Sequence, residues 1–190
     1  MDCRSSQRFM RLRHLAMELS KLPPHPQHNV ELEQYATEGD FAARWIAEMI
    51  ERGDLDASTR VVDLGAGNGI LGIGCHLAGC ASTLLVEIDP HCQHEYEGVE
   101  WFIGDVQDWA RDNVDLVIMN PPYQSQGKID GGCRDYQALY PNGSVDLFAA
   151  FIMRSMELLK ANGLSSSVTL NNWMLRLTFL SVQSLKIDVY

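Results

Sequence analysis

The run Asn120-Pro121-Pro122-Tyr123, directly after the apolar stretch Val114–Met119, is the part of this 190-residue chain best equipped for chemistry. Two prolines hold φ at about −65° and remove two backbone N–H donors, so their carbonyls can face a ligand without local competition. Asn120 adds an amide oxygen, and Tyr123 adds the face of a ring. Such a turn suits a planar, conjugated NH2 group. The nitrogen of that group is a poor nucleophile, because its lone pair is delocalised. Accepting its two hydrogens on the Asn120 side-chain oxygen and the Pro121 carbonyl would aim the lone pair at an electrophile, and Tyr123 would stack on the flat system.

A second constellation lies upstream. Val61-Val62-Asp63-Leu64 runs into Gly65-Ala66-Gly67-Asn68-Gly69 and then Ile70, the pattern of a strand, a glycine turn and a helix. Glycine at 65, 67 and 69 permits unusual φ and close approach of the backbone to a ligand. About twenty residues on, Leu85-Val86-Glu87-Ile88-Asp89 ends the next strand with a carboxylate suited to accept from ribose hydroxyls. A dinucleotide site would space its glycines G-x-G-x-x-G. Here the third glycine comes one residue early, Ile70 stands where it should be, and Asp63 precedes the turn, where it can meet a cation. A nicotinamide oxidoreductase is therefore disfavoured.

The elements that must position these residues follow from periodicity. An amphipathic helix is expected over residues 5–20, stopped by Leu22-Pro23-Pro24-His25-Pro26, and a second over Asp40–Arg52 with Gly53 as its stop. Strands are expected at Arg60–Leu64, Thr83–Ile88, Val99–Ile103, Val114–Met119 and Ser167–Leu170. Helices are expected at Ile70–Ala78, near His91–Glu97, at Val106–Arg111 and at Val145–Lys160. Such alternation predicts an α/β fold with a mostly parallel sheet and helices on both faces. Residues 124–144, rich in Gly, Ser, Gln and Asn, read as a substrate loop. The chain divides into an N-terminal helical arm, 1–28, and a cofactor-binding domain, 29–190.

Composition narrows the function. A net charge of −10 argues against coating nucleic acid nonspecifically. Residues 1–21 nevertheless carry a net +3 and the remainder −13, so a basic arm could touch phosphates locally, or form the solvated face of its helix. The five cysteines lack a disulfide framework and the start lacks a signal peptide, so reduced thiols in the cytoplasm are expected. No run is long and apolar enough for a membrane span. His76, Cys80, His91, Cys92 and His94 fit no zinc-ligand spacing and read as structural, and no metal is expected. Trp101 and Trp109 read as core or pocket wall.

With these residues in hand, the glycine turn resembles motif I of the class I S-adenosylmethionine-dependent methyltransferases, and Asn120–Tyr123 resembles motif IV of the amino-methyltransferases that act on adenine N6, cytosine N4 or protein glutamine. The resemblance implies a Rossmann-like fold and an S-adenosylmethionine site built from Asp63, Gly65, Ala66, Gly67, Asn68, Gly69, Glu87, Ile88 and Asn120. It also implies that Asp105 orients the adenine of the cofactor and Val106 lines its pocket; locally, Asp105 could equally cap a helix. Asn120, Pro121, Pro122 and Tyr123 would form the catalytic turn, and a base within a duplex would have to be flipped into it.

Two subfamilies are similar to different parts. Residues 30–123 resemble small archaeal and eukaryotic methyltransferases of adenine N6 in ribosomal RNA, through Leu32-Glu33-Gln34-Tyr35-Ala36-Thr37. That resemblance implies that Gln34, Tyr35 and Thr37 help bind the cofactor, and that a small activator or recognition subunit takes part. Residues 120–174, with Val145–Ile152, Glu157–Gly163 and Asn171–Met174, resemble bacterial DNA adenine methyltransferases. The lack of room for their target-recognition domain favours RNA over DNA, or a partner that supplies recognition. Only sixteen residues follow Met174, so a shortened C-terminal end of the sheet is expected. The alternatives are a protein-glutamine methyltransferase of the release-factor type and a non-catalytic module that binds S-adenosylmethionine.

Overall fold

Hydrophobic alternation decides the two faces of the sheet. In the computed structural model, which describes residues 11–24, 37–110, 113–122, 139–140 and 147–168, the strands are β1 (Arg60–Leu64), β2 (Ser82–Glu87), β3 (Glu100–Ile103), β4 (Val114–Met119) and β5 (Leu159–Ser167). They pair side by side in the order β3-β2-β1-β4-β5, and every pairing is parallel. Val61, Leu85, Leu116 and Ile118 point to one face, where they join the core formed by α1 (Leu12–Leu19), α2 (Gly39–Arg52) and α3 (Ile70–Leu77). Val62, Leu64, Val86, Val117 and Met119 point to the other and pack against α4 (Leu147–Leu158). A parallel sheet covered on both faces needs apolar residues in both registers, which is why these strands read as near-continuous apolar runs.

The helices end where local chemistry stops them. Gly53, at φ 76°, closes α2 with its N–H on the Ile50 carbonyl, while the Asp54 N–H reaches back to Met49. Within α2, the Trp45 indole donates to Ser166 Oγ of β5 at 3.0 Å in a buried contact. No described helix is long and apolar enough to cross a membrane.

Three expected elements differ. The helix near His91–Glu97 is only a single 3-10 turn, Pro90–Cys92, capped by the Asp89 side chain on the His91 N–H at 2.9 Å. In place of a helix at Val106–Arg111 there is a turn at 106–108, and 111–112 lie outside the described residues. Asp105 Oδ1 accepts the Gln107 N–H, and Arg154 of α4 donates to the carbonyls of Val106 and Trp109. These carbonyls are held from outside instead of feeding a helical ladder. The strand expected at Ser167–Leu170 is instead Leu159–Ser167, and 169–170 lie outside the described residues. Leu159 stands opposite Val114 but Leu164 opposite Leu116, so β5 carries a bulge that includes Asn162 at φ 64°. Its serines 165–167 are all buried. Ser165 bonds Ser155 at 2.9 Å, and Ser166 takes the Trp45 indole.

Candidate active site

In the order 3-2-1-4-5, β1 and β4 are neighbours at the centre of the sheet. The helices that follow them, α3 and α4, pack on opposite faces of the sheet, and α/β sheets bind ligands outside the carboxyl ends of strands at such a switch point. The register sets Asp63 of β1 beside Ile118 of β4. The glycine turn that follows β1 and the Asn120-Pro121-Pro122 turn that follows β4 therefore emerge side by side.

Gly65, Gly67 and Gly69 all have positive φ, at 68°, 55° and 81°. The N–H groups of Gly65 and Ala66 both donate to the Val86 carbonyl, at 2.9 and 3.0 Å. Gly69 caps α3, and a Cβ there would come 2.6 Å from Leu85 Cδ1. Two further contacts brace the turn: His94 Nε2 lies 3.0 Å from the Asn68 carbonyl, and Asn68 Nδ2 donates to the Pro23 carbonyl at 3.0 Å.

Three carboxylates rim the carboxyl ends of β1, β2 and β3. Asp63 is 1% exposed; its Oδ2 accepts the Gly72 N–H at 2.8 Å, while its Oδ1 is buried with no hydrogen-bond partner among the described residues. Burial raises the Asp63 pKa to about 7, against the pull of the Gly72 N–H and with some help from the charge of Glu87. Glu87 holds three backbone N–H groups: Gly67 on Oε2 at 2.7 Å, and Ile88 and Asp89 on Oε1 at 3.0 Å. A carboxylate has about four acceptor directions, so any ribose hydroxyl shares this group with the turn it holds. Asp105 follows β3, with Oδ1 accepting the Gln107 N–H at 2.9 Å in a side-chain-closed turn; among the described residues no helix follows for it to cap. Ile88 presents an exposed apolar surface beside Glu87, and Val106 is buried.

This rim repels a pyrophosphate and suits a cation that carries hydroxyls. The unpartnered Oδ1 of Asp63 and the positive-φ glycines of the turn fit the S-adenosylmethionine that motif I implies. Asp63, Glu87, Asp105 and the backbone of 65–69 would hold it.

At the other lip, Asn120 Nδ2 donates to Thr37 Oγ1 at 3.2 Å, which joins the segment before α2 to the end of β4. Pro121 is buried and Pro122 partly exposed. Gln34, Tyr35 and Tyr123 lie outside the described residues.

Several residues were not foreseen as parts of the site. Gly72 holds Asp63 through its backbone N–H, and its signal was a glycine inside a helical run three residues past the turn. Phe151 of α4 packs where a Cβ on Gly65 would lie, with its ring edge 3.1 Å away. Arg154 of α4 holds the 105–109 turn, and nothing local pointed to it.

The profile of the Eco57I restriction-modification methylase family matches residues 77–186, more than half of the chain. The chain belongs to this family. Its structure is similar to that of PH1948 from Pyrococcus horikoshii, a proposed RNA methyltransferase, with TM-score 0.61 and 30% identity over 78% of this chain and 70% of that one. The adenine-specific methyltransferase BrxX of Escherichia coli is 29% identical over 75 residues, 39% of this chain and 6% of that protein. The release factor glutamine methyltransferase of Enterococcus faecalis is 29% identical over 136 residues, 61% of this chain and 49% of that protein. The chain thus spans half or less of these two curated relatives. The fold is the Rossmann-like α/β fold of the methyltransferases, as expected.

Proposed function

We propose that this chain transfers a methyl group from S-adenosylmethionine to an exocyclic amino nitrogen, adenine N6 in nucleic acid, with RNA favoured over DNA. The observation that carries the reading is the side-by-side exit of the glycine turn and the Asn120-Pro121-Pro122 turn from adjacent parallel strands. One turn belongs to a cationic donor and the other to an amino acceptor. Adenine is supported by BrxX, an adenine-specific methyltransferase, and RNA by the proposed activity of PH1948.

S-adenosylmethionine, when bound, supplies an electrophilic methyl on a sulfonium and leaves as a neutral thioether, so no strong general base is needed. The residues of this chain orient the reaction. Asp63 contributes negative charge beneath the glycine turn, and Glu87 and Asp105 contribute acceptors. Asn120 Oδ1 and the Pro121 carbonyl accept the two hydrogens of the amino group and so direct its lone pair. Tyr123 supplies the stacking face. A small activator or recognition subunit, implied by the rRNA-methyltransferase resemblance, would choose the target.

The test is incubation with methyl-labelled S-adenosylmethionine and, in parallel, ribosomal RNA, duplex DNA and release factor. Label in RNA is expected. Label in protein alone would sink the nucleic-acid reading and favour the glutamine reading, which the Enterococcus relative supports because a glutamine amide is also a flat, conjugated NH2 group. Cofactor binding without transfer to any acceptor would favour a non-catalytic module.

A further inference from the structure

Tyr140 belongs to the stretch that reads in the sequence as a substrate loop, yet its side chain is sunk into the core. It is only 7% exposed and packs in one cluster with Val106 and Trp109, two residues of the turn expected to receive the adenine of the cofactor.

The Tyr140 hydroxyl lies 2.9 Å from Glu157 Oε2, 3.0 Å from Gln107 Nε2 and 3.2 Å from Gln107 Oε1. It has one hydrogen, which goes to the charged and nearer acceptor, Glu157. Its lone pairs then face Gln107, so that amide turns its NH2 end towards Tyr140. Burial raises the Tyr140 pKa, so the phenol keeps its hydrogen at neutral pH. Glu157 Oε2 also accepts from Arg154 Nη1 at 2.8 Å, and Arg154 donates to the carbonyls of Val106 and Trp109.

The turn is therefore gripped twice from one cluster of side chains. Arg154 holds carbonyls on either side of position 107, and Tyr140 holds the side chain of Gln107 itself. The backbone N–H of Gln107 is accepted in turn by Asp105 Oδ1 at 2.9 Å. With its side chain clamped, Gln107 presents that N–H in one place, and the Asp105 carboxylate is set by it.

We propose that Tyr140 is a positioning residue that, through Gln107, sets the Asp105 carboxylate for the adenine amino group of S-adenosylmethionine, and so makes the site select a 6-amino purine over a 6-oxo purine. This rests on the cofactor reading and deepens it. A carboxylate accepts from an amino group and repels a purine carbonyl, and it discriminates between them only when it is held in place.

The experiment measures, by titration calorimetry on the whole chain, the Kd for S-adenosylhomocysteine and for S-inosylhomocysteine, which carries an oxygen in place of the adenine amino group. The variants are Tyr140→Phe, Gln107→Leu and the two together. Phe keeps the ring in the core, and denaturant unfolding checks that each variant folds. Wild type is expected to prefer the adenosyl ligand at least about tenfold, the scale of one hydrogen bond to a charged group. Each single variant should cut that preference to about threefold or less. The double variant should cut it no further, because both changes remove the same link. A general loss of stability weakens both ligands alike and leaves the ratio where it was. An unchanged ratio in a folded single variant therefore overturns the proposal, and so do additive effects in the double. Should Tyr140→Phe not fold, Gln107→Leu, which lies outside the core, decides alone. If wild type binds both ligands equally well, Asp105 does not read the amino group, and the proposal falls while the cofactor reading stands. If wild type binds neither, the cofactor reading fails with it.

Discussion

Glu87, the last residue of β2, holds the backbone N–H of Gly67 across the cofactor turn at 2.7 Å. The turn is thereby shaped before any ligand arrives, since Glu87 also gathers the N–H groups of Ile88 and Asp89. Glu87→Gln keeps the shape of the side chain but replaces one acceptor by a donor. Stability should fall by about 1–3 kcal/mol. Affinity for S-adenosylhomocysteine should fall at least tenfold, as read by denaturant unfolding and by calorimetry.

Asp63 makes the cofactor site sensitive to pH. Its folded pKa of about 7 lies above the ordinary value of 3.8. The folded state then binds the proton more tightly than the unfolded chain, so this contribution to stability is full below about pH 4 and is lost as pH rises through 7. At about 1.4 kcal/mol per pKa unit, the loss is on the order of a few kcal/mol. Asp63→Asn should flatten the stability profile between pH 4 and 7. In the wild-type protein, a cationic ligand favours the carboxylate, so affinity for S-adenosylmethionine should rise with pH over the same range. Titration calorimetry in two buffers should then register proton release.

Asn120→Ala should reduce methyl transfer by roughly 100-fold or more, the scale of losing one oriented acceptor in a transition state. Its affinity for S-adenosylhomocysteine should stay within a few-fold of wild type. A parallel collapse of affinity would show that Asn120 serves the cofactor and not the acceptor.

Gly72 packs so closely that a Cβ would fall 2.2 Å from Leu85 Cδ2 and 3.1 Å from Asp63 Cβ. Leu85 is fully buried, so it cannot simply move aside. Gly72→Ala should cost about 1–3 kcal/mol by overpacking. The double variant Gly72→Ala/Leu85→Val should recover part of the loss in the same unfolding assay.

Arg154 donates to the carbonyls of Val106 and Trp109, and it pairs with Glu157 at 2.8 Å. Arg154→Met leaves those carbonyls without their donor and should destabilise the chain by about 1–3 kcal/mol. Because the 105–109 turn forms the expected adenine wall, adenosine should compete less well for the site in this variant than in wild type.

What could be read from the residues alone was local. β1, the glycine turn and the end of β4 announce themselves through apolar runs punctuated by Gly and Pro, and the structure places them as read. The misses share a cause: groups distant in sequence override local preference. Val106–Arg111 has a helical pattern, but a guanidinium some 45 residues later takes its carbonyls. Ser165 and Ser166 fall before the expected strand, and it takes the Trp45 indole and Ser155 to satisfy them. Thr37 was expected to serve the cofactor through its motif, and nothing short of coordinates links its hydroxyl to Asn120.

The bond from Trp45 to Ser166 spans 121 residues, and β1 cannot pair with β4 until the intervening β2 and β3 have been laid down. Contacts of such separation close late, and they make a chain slow to reach its final state. A polypeptide emerging from the ribosome would hold a buried-to-be indole and an unpaired β4 edge until β5 follows. The serines of β5 are thus a late addition to the surroundings of α2, and a stall before them would leave the apolar faces of the sheet exposed to whatever is nearby.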